Sequence, residues 1–87
     1  MKIKEGYIVR LVAGSYVVVS TGEKTVDFNG IMTLNETGNF LWEKLLTDTT
    51  KEKLVEAMLK EYDVDVATAT ADIEAFLNKL EEAGLAE

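Results

Sequence analysis

Cysteine and histidine are both absent from this 87-residue chain. Without them there is no disulfide, no thiolate nucleophile, no ordinary zinc site and no imidazole base near neutral pH. Basic residues are scarce: nine lysines and arginines stand against sixteen acidic residues, for a net charge of −7. Such a field repels phosphate backbones and anionic bilayers, so neither nucleic acid nor a membrane is an expected partner. Long apolar runs are missing too. The opening Met1-Lys2-Ile3-Lys4-Glu5-Gly6 contains no apolar export segment, and nothing approaches the ~20 apolar residues of a spanning helix. The expected setting is the cytoplasm.

What remains is a globular composition. Hydrophobic residues make up 47% and charged residues 29%, which favours a packed core over a disordered tail. A chain this short holds one domain, expected over residues 1–87, and any pocket in it is shallow. From Tyr7 to Val12 the residues are mostly β-branched or aromatic, and a second such run covers Tyr16 to Ser20. The pair reads as a hairpin, with Gly14-Ser15 one plausible turn and a loop one residue longer another. Asn29-Gly30 is a further turn signal, and Ile31 to Leu34 follows as a third strand. Thr25 to Phe28 is too short to be assigned as strand or loop.

After Leu34 the apolar period becomes helical. Asn35 is a candidate N-cap, Glu36 suits the positive end of a helix, and Leu41, Trp42, Leu45 and Leu46 recur on one face of a helix ending near Leu46. Thr49 with Glu52 has the form of a capping box ahead of Leu54, Val55, Met58, Leu59 and Tyr62. Asp65 is the expected cap of a third helix whose apolar face holds Val66, Ala69, Ile73, Phe76, Leu77 and Leu80, with Gly84 as terminator. The order of three strands and then three helices is that of an α+β fold, a small antiparallel sheet beside a helical triplet.

Two surfaces stand out. The third strand lies last in the meander, at an edge, and carries no charge or proline to block the addition of another strand. Either it accepts an extended peptide, or its shortness or the arm Lys2-Ile3-Lys4 protects it. On the third helix, Asp72, Phe76, Lys79 and Ala83 fall along one flank of the core stripe, where they are expected to be partly exposed beside a strand. For each the plainer alternative is packing for Phe76 and solvation for Asp72 and Lys79. Ala67, Ala71 and Ala75 form an outward stripe of good helix formers, to which no function is assigned. Gly38, inside a helix, points to a close approach, and Trp42 to a core anchor. No nucleophile and base pair, metal spacing or phosphate loop is present, so no catalytic residue, metal or cofactor is expected.

The stretch Phe28-Asn29-Gly30-Ile31-Met32-Thr33-Leu34-Asn35-Glu36-Thr37-Gly38, with Leu41-Trp42 and the later Tyr62-Asp63-Val64, resembles the PqqD-like family. The resemblance implies a winged-helix-like recognition element of three antiparallel strands followed by a three-helix bundle. It implies binding of a precursor's leader peptide by strand addition, for presentation to a modifying enzyme, often a radical SAM protein. The peptide backbone would then pair along Gly30, Ile31, Met32, Thr33 and Leu34, and its side chains would meet Asp72, Phe76 and Lys79. Proline at Met32 is expected to weaken such pairing. Members dedicated to pyrroloquinoline quinone usually show a Tyr-Pro-Glu-Gly-like approach and a Ser-Ala pair after Leu-Asn. This chain has Asp27-Phe28-Asn29-Gly30 and Glu36-Thr37-Gly38 instead, which implies a broader member serving another peptide. The rival reading is a winged-helix nucleic-acid-binding or transcription-related domain, which the acidic third helix disfavours. A homodimer through exposed edges is a further possibility.

Overall fold

A computed structural model describes residues 1–20 and 32–86. The β-branched runs form β1 (Tyr7–Val12) and β2 (Ser15–Ser20), joined by Ala13 and Gly14. Both loop residues have positive φ, 51° and 84°, as in a type I′ turn whose twist matches the strands it links. Of the turns left open, neither Gly14-Ser15 nor the longer loop forms: Ser15 already pairs with Val12, and the turn is Ala13-Gly14.

β3 (Thr33–Leu34) completes an antiparallel sheet in the order β1-β2-β3. It is shorter than the strand expected over Ile31 to Leu34. Met32 joins the ladder through its carbonyl, which accepts from the Val18 N–H at 2.8 Å. Gly30, Ile31 and the stretch Thr25 to Phe28 lie outside the described residues.

Helix α1 (Glu36–Lys44) starts at the expected cap: Asn35 Oδ1 accepts from the Gly38 N–H at 2.7 Å. It ends two residues before the expected Leu46, which is left exposed while Leu45 is fully buried. Helix α2 (Lys51–Glu61) is capped by Thr50, whose hydroxyl accepts from the Lys53 N–H. Thr49 was the expected cap, but its N–H donates to the Met1 carbonyl, which keeps it in the extended segment before the helix.

Helix α3 (Val66–Glu82) begins at Asp65, as expected, and Val66 in its first turn is exposed instead of joining the apolar stripe. At the far end Gly84, with φ 72°, donates to Glu81 and Leu85 donates back to Leu80. These two bonds form a Schellman cap, and the buried Leu80 and Leu85 are its apolar contact.

The core lies between the sheet and the helices. Val18 and Leu34 meet Leu41 and Trp42 of α1, Leu54 and Met58 of α2, and the stripe Ala69, Ile73, Phe76, Leu77 and Leu80 of α3. The N-terminal arm does not cover β3. The Ile3 N–H donates to Leu45, the Lys4 N–H donates to Leu85, and Ile3 forms a bridge with Ala86. That arrangement ties the arm to the ends of α1 and α3.

Candidate functional site

The register of β3 decides which of its backbone groups face outward. Met32 bonds Val18 and Leu34 pairs with Tyr16, so Val17 and Thr33 form the intervening pair. Opposed residues in an antiparallel ladder alternate between bonded and non-bonded pairs. The N–H and C=O of Thr33 therefore point away from β2, toward the sheet edge. Among the described residues no backbone group bonds them. The same alternation shifts attention from Met32, whose carbonyl faces β2, to Thr33, whose N–H and C=O face the edge.

Thr33 opens onto a groove of about 990 Å³. One wall is β3 with the N-terminus of α1, including Leu34, Asn35, Glu36 and Gly38. The other is α3, through Asp72, Ala75, Phe76 and Lys79, while Gly14, Ser15 and Tyr16 of the hairpin close one side. Of the residues singled out from sequence, Thr33, Leu34, Asp72, Phe76 and Lys79 line this groove. Met32 does not line it, and Gly30 and Ile31 are outside the described residues.

Gly38 sits where α1 meets β3 and touches the opposite wall. A Cβ built there would lie 3.2 Å from Asn35 Oδ1, 3.3 Å from the Leu34 Cβ and 3.5 Å from Phe76 Cε1. A larger side chain would push Phe76 away or fill the groove. This is the close approach that a glycine inside a helix suggested. Phe76, only 8% exposed, belongs to the core and also lines the groove. Asp72 and Lys79 are exposed.

The electrostatics are uneven along the groove. Glu36 lies near enough to Tyr62 to act on its phenol, whose pKa is raised first by burial and then by Glu36 and Glu61. Glu36 also lines the groove. Among the described residues the ion pairs are Met1 with Asp48 and Lys51 with Glu74. Glu36, Asp72 and Lys79 thus have no ionic partner in that set.

Several lining residues were not singled out from sequence as site residues: Gly14, Ser15, Tyr16, Asn35, Glu36 and Ala75. Asn35 and Glu36 had a sufficient local role as cap and helix-end charge. The hairpin residues reach the groove only because β2 carries β3. No group of three or more histidine, cysteine, aspartate or glutamate residues among the described residues is placed to hold a metal ion.

The solved structure of TbiB1 in complex with the TbiA(beta) leader peptide is similar to this chain, with a TM-score of 0.78 and 25% identity over 100% of this chain and 95% of that one. A lasso peptide synthetase B1 complexed with the leader peptide shares the fold, with a TM-score of 0.73 and 21% identity over 97% of this chain and 93% of that one. No curated protein matches the chain. The family described as coenzyme PQQ synthesis protein D (PqqD) matches residues 8–86. The chain belongs to that family.

Proposed function

We propose that this protein is a non-catalytic adaptor that captures the leader segment of a ribosomally synthesised precursor peptide and presents it to a peptide-modifying enzyme. The observation that carries the reading is the outward backbone of Thr33 at the mouth of the β3–α3 groove. A strand added there gains main-chain hydrogen bonds from β3, and alternate side chains enter the groove, where specificity is set. The two similar structures support this, both being complexes with a leader peptide. The non-catalytic part rests on a chain without cysteine or histidine. A radical SAM enzyme is the partner class that the family resemblance implies, and the cytoplasm is the proposed setting.

An NMR titration with leader peptides encoded beside the gene tests the reading. The expected outcome is amide shifts at Met32 to Leu34 and at Asp72 to Lys79, with residues of β1 unmoved. Silence with every peptide, together with a response to duplex DNA, would overturn it in favour of a nucleic-acid-binding domain.

A further inference from the structure

We infer, building on the peptide-capture reading, that the groove is charge-ordered: it selects peptides in which an apolar side chain has a basic residue on one side and an acidic residue on the other, in one fixed order.

The reasoning begins on α3. Asp72, Phe76 and Lys79 all line the groove, and steps of four and three residues place them on one flank of the helix. Their order is carboxylate, buried ring edge, ammonium. Seven residues of helix rise about 10.5 Å, which puts Asp72 and Lys79 beyond direct pairing with each other. Neither is engaged in an ion pair among the described residues. Glu36 adds a further carboxylate to the groove lining. The groove therefore has an acidic end, an apolar middle formed by Phe76 with Leu34 and Leu41, and a basic end.

An added strand has side-chain period two, so the residues it turns into the groove are i, i+2 and i+4, spanning about 13 Å. That exceeds the Asp72 to Lys79 rise by less than the reach of a flexible lysine stem. The complementary pattern is basic, any, apolar, any, acidic, with its direction set by the end at which Asp72 stands. Exposed charge contacts contribute little affinity, but they penalise a reversed partner. Asp72 and Lys79 are thus specificity-determining residues, while Thr33 and the apolar middle around Phe76 supply the holding contacts.

The test is selection from a random-peptide display library against three proteins: the wild type, the double variant Asp72→Lys with Lys79→Asp, and Thr33→Pro as a control for strand addition. Circular dichroism and Trp42 fluorescence establish that each is folded. The expected result is that the wild type enriches peptides with one charge order around an apolar residue and the double variant enriches the reverse. Individual peptides of the wrong order should bind about two- to fivefold more weakly, with the gap narrowing as salt is added. Peptides lost on Thr33→Pro but without charge order, or with the same order in the double variant, overturn this inference and leave peptide capture standing. No enriched peptide, or peptides indifferent to folded Thr33→Pro, overturns the capture reading and this inference with it.

Discussion

The sheet has two edges, and they are opposites. β1 is the longer, six residues against the two of β3. Its register turns the backbone of Val9 and Leu11 outward, since both stand in non-bonded pairs with β2. Leu11 is 66% exposed and Val12 52%. By edge length and apolar exposure β1 is the better template for another strand. Yet the groove lies at β3, because α3 stands beside that edge and provides a wall with Phe76 between two charges. Backbone groups are alike on both edges, so they give affinity without choice. Selection needs a second element that meets the side chains. Arg10 on β1 also blunts that edge, as a charge on an edge strand does.

The largest effect should come from proline at the two edges. Thr33→Pro and Leu11→Pro each remove an N–H that faces outward, which an edge strand tolerates. Thr33→Pro is expected to weaken leader-peptide binding roughly tenfold or more, since a lost hydrogen bond is joined by a ring in the path of the added strand. Leu11→Pro should leave the affinity unchanged by calorimetry. Equal losses at the two positions would break the comparison.

A smaller effect separates two helix caps. Asn35→Ala and Thr50→Ala each remove a side-chain acceptor from a helix N-terminus and should each cost about 1 kcal/mol of stability, read by urea unfolding with the buried Trp42 as the fluorophore. Only Asn35→Ala should also weaken peptide binding, because Asn35 holds the first turn of α1 where it joins β3 at the groove.

The smallest effect is the response to acid. The Asp65 carboxylate accepts from the Thr68 N–H, and Asp48 accepts from the N-terminal ammonium, so both titrate below their ordinary value of 3.8 in the folded state. A depressed folded pKa adds stability that is fully present above the unfolded value and fades as pH falls through the folded one. The urea midpoint should therefore decline below about pH 3.8. Asp65→Asn, which keeps a capping side chain, should make that decline shallower. Neither aspartate lines the groove, so the ratio of Thr33→Pro to Leu11→Pro affinities should be the same in the cap variant.

Much of this architecture was legible in the order of residues because its causes are local. Asn35 and Asp65 announce caps, Gly84 announces a terminator, and the Ile73, Phe76, Leu77 and Leu80 spacing fixes the buried face of α3. Errors arose where a local signal met a distant partner. Thr49 carries the capping-box pattern, yet its N–H is held by Met1, and the cap passes to Thr50. Lys2-Ile3-Lys4 was a plausible cover for an edge, yet it is tied to the ends of α1 and α3.

The site divides in the same way. Alternation and composition alone determined that there would be a strand free of charge and proline, an acidic helix with Asp72, Phe76 and Lys79 on one flank, and a glycine inside α1. Only the tertiary structure decided that Thr33, and not Met32, turns its amide outward, because the answer depends on pairing parity with Val18 on another strand. It likewise decided that Gly38 packs against the Asn35 cap and Leu34 and meets Phe76 across the groove. Periodicity along a chain fixes which residues share a face; register and close approach belong to pairs of segments, and no single segment encodes them.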